Sequence, residues 1–185
     1  ETEGIVNDAK FIEGAKVLSQ MGLSLDIMQS FPQLAEIAEF AKAVPDLPII
    51  VNHVGGVSRV GIYAGKDDEI IPVWKEGITA AAACHNVTMK LGGLGMPRFG
   101  FGWHAREVPI GSEELAESMA PWMRHCIEQF GPDRCMFESN FPPDKVSFSY
   151  NVMYNAFKRL SKEYSAAERA ALFHDTAVRV YGIEP

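Results

Sequence analysis

The chain has 185 residues, 47% of them hydrophobic and 22% charged, with a formal charge of −7. That is enough chain for one sizeable core, and the acidic balance argues against the clustered Lys and Arg of a nucleic-acid surface. No apolar run approaches the ~20 residues of a membrane helix, and three cysteines without CxxC spacing (Cys84, Cys126, Cys135) frame neither disulfides nor a zinc knuckle. Reduced thiols in a cytoplasmic protein are the simplest reading. Residues 1–10 mix acidic and polar types, unlike a signal peptide. With no Met at position 1, the chain is expected to begin partway along a longer protein.

In chain order, Asn7 or Asp8 caps a first helix whose Phe11, Ala15 and Leu18 share one face, with Gly22 as its stop. Residues 23–28 read as a short strand. Pro32 suits the first turn of a second helix, striped by Leu34, Ile37, Ala38 and Ala41 and ended by Pro45 and Pro48. The β-branched run Ile49, Ile50, Val51 fits a strand buried on both faces. A third helix fits residues 68–84, with Ile71, Trp74, Ile78 and Ala82 on one side, and a third strand residues 87–91. The loop 92–111 is rich in glycine and aromatics, the marks of a functional lid or an insertion. Ser112 is placed to cap the next helix, with Glu113 and Glu114 in its first turn, and Pro121 predicts a late start or a kink. Gly131 and Pro132 end it. Residues 135–138 make a fourth strand closed by Asn140-Phe141-Pro142-Pro143, and two helices finish the chain. The second opens on the capping box Ser165–Glu168 and stops at Gly182.

Helix and strand thus alternate four times, which means parallel strands joined by helical crossovers in an α/β fold. Four such units make the C-terminal half of a (β/α)₈ TIM-type barrel, and a flavodoxin-like open sheet is the competing arrangement. Both bind ligands where strands end, so the polar residues at the four exits are the candidates. The first exit offers Asp26 and Gln29. Asp26 reads equally as an interior hydrogen-bonding group. The second offers His53, followed by Gly55 and Gly56, which let backbone approach a ligand closely. An imidazole there can bind metal, act as a base or donate a hydrogen bond, or it can be a satisfied core histidine. The third offers Lys90, a partner for an anion or a solvated flank, and then Arg98 and His104 in the long loop. The fourth offers Glu138, Asn140 and Asp144 beside a rigid Pro-Pro turn, which is a site wall or a turn with satisfied side chains.

Four segments carry a resemblance: Gly22–Asp26, Pro48–Gly56, Asn86–Met96 and Asp133–Pro142. In this order they resemble the amidohydrolase-related (amidohydrolase 2) family of TIM-barrel hydrolases over essentially the whole chain. The resemblance implies strands five to eight of such a barrel, with the N-terminal half, and its His-x-His pair, before residue 1. It implies that His53 is the histidine ending strand six and that Asn140 stands where an aspartate follows strand eight. Relatives use a divalent metal such as zinc or manganese. With Asn140 an amide and His53 the one familiar ligand present, the expectation is weak metal binding by this segment, because a tight site needs three or more good ligands.

The expected function is hydrolysis of a small carboxylate-bearing cyclic ester, lactonase-like. His53 would act on water or the carbonyl and Asn140 would hold substrate or water. Lys90 or Arg98 would pair with a carboxylate, and Asp144 or Glu138 would be a substitute base. The alternatives are metal-dependent decarboxylation of an aromatic acid and a catalytically silent barrel segment that serves as a binding or assembly module. The expected partners are a small-molecule substrate, with neither nucleic acid nor membrane, and either a second copy of the chain or the missing half-barrel, since half a barrel leaves edge strands unpaired.

Overall fold

The structure is a computed structural model that describes residues 4–184. Four parallel strands, β1 (Leu25–Ile27), β2 (Ile49–Val51), β3 (Val87–Leu91) and β4 (Cys135–Phe137), form one sheet in the order β1-β2-β3-β4. Helix α1 (Ala9–Gln20) precedes the sheet, and α2 (Leu34–Ala43), α3 (Asp67–Ala82) and α4 (Ser112–Phe130) make the crossovers. After β4 come α5 (Tyr150–Leu160) and α6 (Ala166–Ala170), which runs through a π-turn (Ala171–Asp175) into α7 (Thr176–Tyr181). Each strand docks beside the one before it, so right-handed crossovers place their helices on one face. Helices α2 to α5 accordingly pack in chain order, each on the next. A flavodoxin-like sheet reverses its strand order and is excluded; the chain is a segment of a (β/α)₈ barrel.

Alternation along the strands sorts their residues onto two faces. Ile27, Ile49, Val51, Val87, Met89, Leu91 and Cys135 join the core under the helices, with Leu34, Phe40, Trp74 and Ile78. The other face, the barrel interior, carries Asp26, Ile50 and Thr88 in one register row, and Lys90 beside Met136. This interior face is partly covered by the last helix. The Tyr181 hydroxyl donates to both Asp26 oxygens (3.0 and 3.1 Å), and Lys90 Nζ lies 2.6 Å from Asp26 Oδ1 and 5.4 Å from the Tyr181 ring.

Several boundaries differ from the sequence pattern for local reasons. Of the two cap candidates, Asp8 is the one that caps α1, accepting from the Lys10 N–H. Gly111 holds the N-cap position of α4, and Ser112 is its first residue. Pro121 neither delays nor ends that helix, and Pro72 sits inside α3. Both prolines are exposed, so water can take the carbonyl each leaves unbonded, at Glu117 and Asp68. The capping box at Ser165–Glu168 and the left-handed stop at Gly182 are as the pattern predicts.

Polar side chains tie the N-terminal ends of the strands. Asn86 Nδ2 donates to the carbonyls of Ala41, Val44 and Leu47 at 3.0–3.2 Å, fixing the α2–β2 connection. The Arg134 guanidinium donates to Phe130, Cys84, Val87 and Ala82 carbonyls, joining the ends of α3 and α4. Asn86→Ala strands three carbonyls and should cost about 1–3 kcal/mol, read by urea unfolding; an unchanged midpoint would show that water replaces the amide.

The loop 92–111 is ordered. It holds two short 3₁₀ turns, Pro97–Phe99 and Trp103–Ala105, and buries Phe99 and Trp103. Phe101 stacks on Trp103 at 4.4 Å, and the Arg59 guanidinium lies 5.0 Å from the Phe101 ring while pairing with Asp67 through two bonds of 2.8 and 2.6 Å. These aromatics pack the loop against the body of the protein. Among the described residues, no helix is long and apolar enough to cross a membrane.

Candidate active site

Three strand exits converge at one end of the sheet. After β2 the chain enters a left-handed turn at His53 (φ 55°), Val54 (φ 46°), Gly55 (φ 75°) and Gly56 (φ 62°). This turn lifts the His53 ring over the next exit. After β3 the chain needs glycine at Gly92 and Gly93. A Cβ on Gly92 would be driven into Glu138, and one on Gly93 (φ 74°) into the His53 ring. After β4 comes Glu138, whose N–H donates to the Leu91 carbonyl and extends the ladder by one bond.

The closest pairing is His53 with Glu138. Nδ1 lies 2.5 Å from Glu138 Oε1, which also accepts the His53 backbone N–H at 3.2 Å. The side chains are 12% and 14% exposed, so both reach the surface of the site. A carboxylate on Nδ1 fixes the ring and favours the tautomer that frees Nε2 for a ligand.

Behind this pair lies a second carboxylate. Asp144 is 1% exposed; Oδ2 accepts the Gly95 N–H at 3.0 Å and Oδ1 accepts Asn140 Nδ2 at 2.7 Å. Burial raises its pKa to about 6, with the Glu138 charge adding to the rise, while the Asn140 and Gly95 hydrogen bonds and the His53 charge oppose it. Asn140 sits at φ 47°, a left-handed position that asparagine tolerates better than most residues. Ser147 Oγ donates to the Gly95 carbonyl at 2.5 Å and closes the loop.

The sign of the Asp144 effect follows from that pKa. An unfolded aspartate titrates near 4, so between about pH 4 and 6 the folded state holds the extra proton. Its stability therefore falls as pH rises through that window. At neutral pH the buried charge costs up to ~3 kcal/mol. Asp144→Asn removes the titration, and the Asn140 amide can turn to present its oxygen. Urea unfolding from pH 4 to 7 should show the variant gaining up to ~3 kcal/mol on the parent. A gap that does not change with pH would return Asp144 to the ordinary carboxylate range.

Of the residues singled out from sequence, His53, Asn140 and Asp144 come together, with Glu138. Asp26 and Lys90 pair with each other on the interior face, deeper in the sheet, so Lys90 is not a free cation for a substrate. Gln29 is buried and turned to α2, its amide donating to Glu36 at 3.4 Å. Arg98 is half-buried in the Pro97–Phe99 turn, where its carbonyl accepts from Ser58 at 3.4 Å. His104 is exposed on the second turn. Glu138, a substitute base candidate by sequence alongside Asp144, instead holds the His53 ring; an acidic residue one step past a buried strand is the signal that marks it. Nothing in the sequence pointed to Asp144 as buried.

Among the described residues, no group of three or more His, Cys, Asp or Glu side chains is arranged to hold a metal ion. His53 Nδ1 and Glu138 engage each other, and both Asp144 oxygens accept hydrogen bonds. By themselves these residues supply fewer than the three good ligands that a tight metal site needs, although His53 Nε2 is left open.

Comparison with known proteins finds relatives along most of the chain. A family model described as amidohydrolase matches residues 3–183. An uncharacterised protein of Sinorhizobium fredii, y4mH, is 36% identical over 172 residues, 92% of this chain and 51% of that protein. An L-fucono-1,5-lactonase of Burkholderia multivorans is 26% identical over 99% of this chain and 59% of its own length. A crystal structure of an amidohydrolase from Burkholderia multivorans with bound zinc superimposes with a TM-score of 0.82 at 25% identity, covering 98% of this chain and 60% of that one. The chain thus spans between half and three-fifths of the relatives it matches.

Proposed function

The chain belongs to the amidohydrolase family, and from that premise we propose that it carries the strand-six and strand-eight side of a hydrolase site that opens a small cyclic ester. The observation that carries the proposal is the 2.5 Å contact between His53 Nδ1 and Glu138 at the ligand-binding end of the sheet. Similarity to a protein named as a lactonase supports the substrate class.

With Glu138 holding Nδ1, His53 Nε2 takes a proton from water as the water oxygen attacks the ester carbonyl. The tetrahedral intermediate collapses, the ring C–O bond breaks, and the imidazolium returns the proton to the departing oxygen. One water is consumed, and a hydroxy acid is released. Glu138 stabilises the imidazolium that forms between the two steps, as the orienting carboxylate does in a catalytic triad. Asp144 keeps Asn140 in place, leaving the Asn140 carbonyl oxygen to face substrate or water. Of the two cations expected to meet a substrate carboxylate, Lys90 is already neutralised by Asp26, which leaves that role to Arg98. The unpaired edges of β1 and β4 would be met by the remaining strands of the barrel, from an upstream half or a second copy.

The test is a panel of sugar lactones, simple lactones and aromatic acids, assayed by proton release on the longest reading frame that contains the chain. Runs would be made with chelator, with zinc and with manganese. Ring opening of lactones is the expected result. Carbon dioxide release from the aromatic acids would replace the proposal with the decarboxylase reading, and inertness on every compound would favour a binding role.

A further inference from the structure

His53 reaches Glu138 from backbone that is costly to form. Left-handed geometry is unfavourable for an L-residue, and for a β-branched residue such as Val54 (φ 46°, ψ 38°) it is a true outlier. Such strain persists where surrounding structure over-determines it. On the solvent side the restraint is Glu138, which accepts the His53 N–H. On the core side it is Trp74, whose indole Nε1–H donates to the Val54 carbonyl at 2.7 Å. The Gly55 N–H closes the turn on the Asn52 carbonyl at 3.2 Å.

Trp74 is itself well held. It is 1% exposed on α3, edge-on to Trp122 at 4.9 Å and tilted against His125 at 5.2 Å. Its bond sets the plane of the Val54–Gly55 peptide, one residue beyond His53.

We infer that Trp74 is a positioning residue: its indole N–H holds the left-handed turn that aims the His53 imidazole at Glu138 and at substrate. The inference rests on His53 being the working base. Trp74 touches no reacting group, so its loss affects the rate through ring orientation and leaves ground-state binding largely alone.

The experiment replaces Trp74 with β-(3-benzothienyl)alanine, which keeps the shape and lacks the N–H, beside the simpler Trp74→Phe. Both are made in the full-length protein. A misplaced base costs about 10- to 100-fold in kcat, with KM nearly unchanged. Near-ultraviolet circular dichroism should report a retained fold for the benzothienyl form. In parallel, proton NMR of the unmodified protein should show a strongly downfield imidazole N–H, assigned by its absence in His53→Ala. That signal should weaken or shift in the benzothienyl form. Full activity and an unmoved signal in the benzothienyl form would overturn the inference and leave Trp74 as a core filler. If the unmodified protein opens no lactone, the hydrolase proposal fails separately, and the NMR signal still decides whether the indole sets the ring.

Discussion

His53→Ala should lower kcat/KM on the best lactone by about 10²–10⁴-fold, the usual contribution of a general acid–base group. The imidazole is only 12% exposed, yet it faces the one end of the sheet where three loop exits meet. Its removal leaves Glu138 with the backbone N–H at 3.2 Å but no ring to orient. The fold should survive, because the residue lies at the surface of the site and outside the hydrophobic core. Steady-state kinetics with unfolding curves on the same preparations would check this. Added imidazole restoring part of the rate would strengthen the assignment, since a small base can occupy the vacated space. Near-parental kinetics in the variant would move the base elsewhere and remove the reason for the close His53–Glu138 contact.

Gly56→Ala should be among the most damaging single substitutions to stability, about 3 kcal/mol or more from left-handed strain and overpacking together. Gly56 sits at φ 62°, and a Cβ there would be driven into the main-chain carbonyl of Gln29. That carbonyl cannot swing aside as a side chain can. The neighbouring Gly55 is different: its Cβ would meet the ends of Ile78 and Leu34 at 2.8 and 2.9 Å, and those can adjust. Urea or thermal unfolding of the two variants should therefore rank Gly56→Ala below Gly55→Ala. Equal losses would mean that backbone geometry, common to both, outweighs the clash.

Much of the architecture was legible because it is written in local rules. The Ile49–Val51 run, the Ser165–Glu168 capping box and the alternation of four helix–strand units each depend on near neighbours. Periodicity alone left barrel and open sheet both open, because it does not encode strand order; the resemblance of the four strand-exit segments to the amidohydrolase 2 family pointed to the barrel, which the sequential strand order bears out. The site was half legible. His53 and Asn140 stand at strand ends, where position alone flags them. The Lys90–Asp26 pair could not be foreseen, since it joins residues 64 apart through the register of three strands. Pro121 misled: it read as a late start or a kink, but a solvent-facing position lets α4 carry it without a late start, as α3 carries Pro72. The loop 92–111 read as a lid or an insertion; its packing through Phe99, Trp103 and the Arg59–Asp67 pair was not written in local pattern.

The sequential strand order bears on how the molecule comes into being. Each strand finds its neighbour already made, so the sheet can grow vectorially, one crossover at a time, as a nascent chain lengthens. Loop-closure entropy is then met in modest instalments. The His53–Glu138 contact breaks that locality: its partners lie 85 residues apart, on the second strand's exit and the fourth's. The pairing therefore cannot form until β4 has emerged and docked beside β3.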